Sequence, residues 1–160
     1  MKKLYICVLF LFIVGMISAQ DNDCAGYKSD NMYFRYTAYG CQEVVLGNHS
    51  KAINESRKMA NISAESELAK MVNSAVTRVA ERMISEGDGY SEMYIDTTLV
   101  STYKYFHGIK TVCQSETKLN GNMYVTYITK EISMDNISDM FYFSSNEDKQ
   151  KFRKLLEKEK

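Results

Sequence analysis

A chain of 160 residues with 20 basic and 20 acidic side chains carries no formal net charge. That excludes the basic excess which binding to a nucleic-acid backbone requires, and the polybasic patch that anionic membrane surfaces attract. Hydrophobic residues make up 45% and aromatic residues 12% of the chain, which excludes extended disorder and suits one domain around a single core.

The chain opens with Met1-Lys2-Lys3, an apolar run over residues 4–17, and Ser18-Ala19-Gln20-Asp21. Basic, hydrophobic and small residues in that order predict a secretory signal peptide over residues 1–19, cut after Ala19. The apolar run falls short of the ~20 residues that cross a bilayer, so no direct membrane anchor is expected. A lipid-attachment cysteine would have to follow a short box of small residues. Cys7 lies inside the apolar run and Cys24 follows Asp21-Asn22-Asp23, so neither fits. The expected location is exported: periplasmic or secreted, with envelope association through a partner.

Residues 20–31 are small and polar and predict a flexible leader. Residues 32–45 are dense in aromatic and β-branched side chains, as a half-buried strand requires, and Gly40 within them predicts a bulge or a close helix contact. Residues 46–50 break the strand, with Asn48 or Ser50 placed to cap a following helix. Through Ser85, Ile53, Ala60, Ala64, Leu68, Met71, Val72, Ala75, Val79 and Met83 recur at three- and four-residue steps, which puts them on one face. Glu86-Gly87-Asp88-Gly89 ends this helix. A short helix is expected over residues 94–106 on the spacing of Ile95, Leu99, Tyr103 and Phe106. Strands are expected over residues 109–118 and 123–132, joined by a hairpin at Asn120-Gly121. A final amphipathic helix is expected over residues 145–160, capped by Ser144 or Ser145. The predicted fold is a single α+β domain over residues 32–160, of order β-α-α-β-β-α, with the helices on one face of a small antiparallel sheet.

The strand ending in Ala38-Tyr39-Gly40, the helix with Ala52, Arg57, Ala60, Ala64, Glu67 and Leu68, the Phe106-His107-Gly108-Ile109 run and the strand Asn122-Met123-Tyr124-Val125-Thr126-Tyr127-Ile128 together resemble a known pattern. It is similar to the twenty-kilodalton envelope lipoproteins and to the N-terminal domain of flagellar assembly protein T. The resemblance covers roughly residues 33–133 and implies a non-enzymatic envelope component engaged in assembly. The chain departs from the lipoproteins in lacking their lipid-attachment cysteine.

No constellation points to a reaction, and neither a cofactor nor a metal is expected. His49 and His107 lack a neighbouring nucleophile motif and read as ordinary helix-terminal residues. Cys41, His49, His107 and Cys113 match no compact zinc spacing. Glu65 with Glu67, and Asp135 with Asp139, lack a calcium loop and read as solvated charges. Gly87-Asp88-Gly89 follows a helix, whereas a phosphate-binding loop follows a strand. Asn48, Asn54, Asn61 and Asn136 each head an Asn-x-Ser triplet, read as chance matches in a bacterial-looking exported chain. Once the signal is removed Cys24, Cys41 and Cys113 remain, predicting one disulfide and one free thiol with all three pairings open.

Alternation along the first strand places Tyr33, Arg35, Thr37, Tyr39, Cys41 and Glu43 on the sheet face opposite Phe34, Tyr36 and Ala38. If helices cover only the latter face, Tyr33, Arg35 and Tyr39 form an open surface of the residue types enriched in protein interfaces. The leading expectation is therefore an envelope-associated interaction domain that meets other envelope proteins or copies of itself. A carrier with a pocket between the long helix and the aromatic sheet is the second reading, and a hydrolase with an unrecognised site is the third.

Overall fold

The computed structural model describes residues 23–85, 108–141, 143 and 145–160. The expected signal segment and the helix expected over residues 94–106 lie outside the described residues, as do the Gly87-Asp88-Gly89 turn and His107. The described elements are β1 (Tyr33–Glu43), α1 (His49–Ser85), β2 (Lys110–Gln114), β3 (Lys118–Asn120), β4 (Met123–Ser133), α2 (Met134–Asp139) and α3 (Asn146–Leu156).

β4 is the central strand of one antiparallel sheet. β1 pairs with it over its whole length, from Tyr33 opposite Ser133 to Glu43 opposite Met123. β2 and β3 share its other side, one after the other. The β3–β4 hairpin turns at Gly121-Asn122, where Gly121 takes a φ of 61° that a side chain would resist. The single strand expected over residues 109–118 is broken in two. Ser115 causes the break: its N–H donates to the Tyr127 carbonyl, while its Oγ accepts from the Tyr127 N–H at 2.9 Å. A hydroxyl thus stands in for the next ladder carbonyl and the strand leaves the sheet.

α1 begins where Asn48 Oδ1 accepts from the Lys51 N–H. The long helix lays its alanine-rich stripe across β1 and β4, burying Ala52, Ala60, Ala64, Leu68, Val72, Ala75, Val79 and Met83. α3 is capped by Ser145, whose side chain accepts from the Asp148 N–H, and buries Phe152, Leu155 and Leu156 against the same core. The order of elements gains α2, which the sequence reading lacked. This short helix starts directly from β4 because Ser133 caps it by accepting from the Asn136 N–H.

The leader was expected to be flexible, and from Cys24 onward it is tied down instead. Cys24 is joined to Cys113 on β2. Ser29 then holds β1: its Oγ accepts from the Arg35 N–H at 2.9 Å and donates to the Arg35 carbonyl at 3.2 Å. Asp30 Oδ1 accepts from the N–H groups of Met32 and Tyr33. The segment is thus fixed by polar bonds and one covalent link, which its lack of apolar residues does not forbid.

Candidate partner face and its frame

Residues opposite one another in an antiparallel ladder point to the same side, so the two faces follow from the register. One face carries Phe34, Tyr36, Ala38 and Gly40 with Ile132, Lys130, Ile128 and Thr126. It packs on α1. The other carries Tyr33, Arg35, Thr37, Tyr39 and Cys41 with Glu131, Thr129, Tyr127 and Val125, and Cys113 joins it opposite Thr129.

The helix-covered face is closed where Gly40 meets α1. A Cβ placed on Gly40 would come within 2.1 Å of the Ser56 carbonyl oxygen and 2.3 Å of the Ala60 nitrogen, so α1 and β1 touch backbone to backbone. Gly40 is therefore the close contact, not the bulge. Around it Ala60, Ala64 and Ile128 close the interface with Ala38.

One hydrogen-bonded chain crosses that interface. Ser56 Oγ donates to the Ile53 carbonyl at 2.9 Å, so at 3.0 Å it can only accept from Thr126 Oγ1. Thr126 in turn accepts from Thr117 Oγ1 at 2.9 Å, and Thr117 accepts from Arg57 Nε at 2.9 Å. Every hydroxyl proton in the series has a partner. Such a chain can be buried at little cost because no group in it is left unpaired.

On the opposite face the residues named from the sequence have different fates. Arg35 is only 17% exposed and is committed internally. Its Nε donates to Glu131 at 2.8 Å, its Nη1 donates to Asp30 and to the Lys28 carbonyl, and its guanidinium lies 5.0 Å over the Tyr33 ring. Burial works to lower the Arg35 pKa, but bonding to Glu131 and Asp30 outweighs it and raises the value. Asp30 is held below the usual carboxylate range, first by the Met32 N–H. Tyr33 is half-buried beneath this cluster. The guanidinium is thus a clamp between leader and sheet, and Tyr33 is part of its seat.

Tyr39 does face solvent, at 46% exposure. It stacks at a tilt on Tyr127, ring centroids 6.0 Å apart. Burial, and then the neighbouring Tyr39, raise the Tyr127 pKa. Tyr127 is the residue that the sequence reading missed on this face; only the register opposite Tyr39 identifies it. Beside the pair, Thr37 and Thr129 share a 2.7 Å hydroxyl bond, and Cys41 keeps its thiol.

His49 meets Tyr124 at 3.3 Å between Nδ1 and the phenol oxygen. Glu65 reaches Lys130 at 3.9 Å, and Glu67 pairs with Lys70. Asp135 and Asp139 pair with Arg153 and Lys149. Among the described residues no group of three His, Cys, Asp or Glu converges as metal ligands. The four triplet asparagines have no common setting: Ser56 and Ser138, which complete two of the triplets, are buried.

Comparison of the chain with protein-family models, with curated proteins and with solved structures finds no match.

Proposed function

We propose that this is a non-catalytic, exported interaction domain that joins envelope components, with the Tyr39–Tyr127 face as its contact surface. The supporting observation is the exposed Tyr39 ring packed on the half-buried Tyr127, on the one sheet face that the described helices leave uncovered, between the Cys24–Cys113 bond and the Arg35–Glu131 pair. Aromatic side chains bring large contact area with few rotors to order, which is why they dominate binding energy at interfaces. The Cys24–Cys113 bond is compatible with an oxidising compartment. The resemblance to envelope lipoproteins and to flagellar assembly protein T points the same way.

The test is affinity capture from native envelope extract with the wild-type protein and with a Tyr39→Ala/Tyr127→Ala variant. The expected result is a discrete captured partner that the variant loses while keeping its melting temperature. Capture unaffected by the double substitution would remove this face from the proposal.

A further inference from the structure

The outer edge of β1 is a second surface, built from main chain instead of rings. Even-numbered residues of β1 bond to β4 and odd-numbered ones point outward, as three bonds establish. Val44 N–H donates to Asn122, the Tyr33 carbonyl accepts from Asp30, and both Arg35 main-chain groups are taken by Ser29 Oγ. At the far end, Gln42 Nε2 donates to the Glu43 carbonyl at 3.4 Å. Between these stops, Thr37, Tyr39 and Cys41 direct N–H and C=O outward with no main-chain partner among the described residues. They open onto a groove of about 450 Å³ whose other wall is Met59, Ser63 and Glu67 of α1.

Resting on the reading of this chain as an interaction domain, we propose that a second copy of the chain occupies this groove. Its β1 would lie antiparallel to the first about a two-fold axis through Tyr39. The free stretch is itself symmetric about Tyr39, since Arg35 is closed by Ser29 at one end and Glu43 by Gln42 at the other. In that register Tyr39 meets the partner's Tyr39, and Thr37 meets the partner's Cys41, so each outward N–H faces an outward carbonyl. An unpaired edge of this kind is a template for strand addition.

Charge and shape agree with the same register. Its outer pairs place Glu43 beside the partner's Arg35. Among the described residues the Glu43 carboxylate bonds only to Asn122 Nδ2, and the Nη2 of Arg35 has no acceptor, its Nε and Nη1 being engaged. On the helix side the register sets Ala38 opposite the partner's Gly40, so the smallest side chains of β1 lie where the two long helices approach. Met59, 44% exposed, would be covered.

The experiment is analytical ultracentrifugation of the protein, purified in the form its cells accumulate, over a wide concentration range, joined to residue-resolved amide exchange. The expected result is a dimer in which amides of Thr37, Tyr39 and Cys41 become protected as concentration rises, whereas that of Arg35 is protected throughout. Glu43→Lys should raise the dissociation constant about tenfold by reversing two outer charge pairs. Tyr39→Pro, which removes an N–H the monomer does not use, should leave a folded monomer. A wild type that stays monomeric, or a dimer whose three amides exchange as in the monomer, would overturn the proposal. If Tyr39→Pro does not fold, the exchange pattern and Glu43→Lys decide. Failure here is separable from failure of the envelope role. Tyr39→Ala/Tyr127→Ala strips the aromatic face but keeps every edge amide, whereas Glu43→Lys weakens the edge pairing and keeps both rings.

Discussion

The two halves of the helix–sheet interface are held by different forces. At the Phe34 end the sheet and α1 stand apart, and the gap is filled by Phe34, Leu68, Val72, Val79, Met83, Ile132 and, from α2 and α3, Ile137, Phe152 and Leu156. At the Gly40 end the same two elements touch, with only alanines, Ile128 and a line of hydroxyls between them. α1 is therefore wedged against the sheet, thick at one end and thin at the other. The contrast shows that one continuous helix can serve both regimes if side-chain volume falls along its buried stripe. Apolar burial supplies cohesion at the thick end, whereas close fit and complete hydrogen bonding fix the position at the thin end.

The largest expected effect lies in the thick half. Phe152 is fully buried and sits between Phe141 and Phe143, with ring centroids 5.4 and 5.2 Å away. Phe152→Ala should cost about 3–5 kcal/mol, read from the urea midpoint. A loss below about 1 kcal/mol would mean that α3 is not part of the cooperative core.

Gly40→Ala tests the thin half. The added methyl would meet main-chain atoms of Ser56 and Ala60, which no rotamer change can move. A destabilisation of about 3 kcal/mol is expected, at the upper end for overpacking. Met59→Ala should not rescue it, because alanine keeps the Cβ that would lie 2.9 Å away and both backbone contacts stay in place. Rescue by Met59→Ala would show that the helix is not in main-chain contact.

The wedge was partly legible in the sequence. Ala60 and Ala64 lead the buried stripe of α1 and Leu68, Val72, Val79 and Met83 follow, so the taper is written in residue size, and Gly40 was readable as a possible close contact. The partner of Gly40 was not, since it depends on which turn of a 37-residue helix lies over it. The hydroxyl chain was equally hidden. Ser56, Thr117 and Thr126 come from α1, the β2–β3 connection and β4, and read singly as ordinary polar residues. The same reasoning applies to Cys24–Cys113: the three cysteines were visible, but the choice depends on β2 lying beside β4 and on the leader crossing the sheet. Tyr39 could be placed on the open face by alternation alone, whereas the burial of Arg35 came from Asp30 and Glu131, one of them 96 residues away.

Thr126→Val sharpens the contrast further by removing polarity from the thin half at constant shape. It leaves Ser56 without its donor and Thr117 without its acceptor, and should cost about 1–3 kcal/mol in urea unfolding. Adding Ser56→Ala should then cost little more, because the two groups act in one chain. Full additivity of the two substitutions would show that the hydroxyls are independently solvated and that the thin half is not held by a chain at all.

The smallest effect concerns the leader, which borders the thick half through Arg35 and the C-terminal Lys160, whose Nζ donates to the Asp30 carbonyl. Asp30 has a folded-state pKa below its ordinary value of 3.8. Its stabilising contribution is therefore complete above the unfolded-state pKa and disappears as pH falls through the lower, folded-state one. Because Asp30 is about half exposed, solvent screens the interaction and the loss is small. Its sign is nonetheless definite. Acidification below the usual carboxylate range should speed amide exchange at Met32 and Tyr33, whose N–H groups Asp30 accepts, before it affects Val72 or Ile132 in the core. Asp30→Asn should flatten that local pH dependence while leaving the urea midpoint at neutral pH nearly unchanged. A midpoint that falls as steeply as for Phe152→Ala would mean that the leader is integral to the thick half, not fastened to its surface.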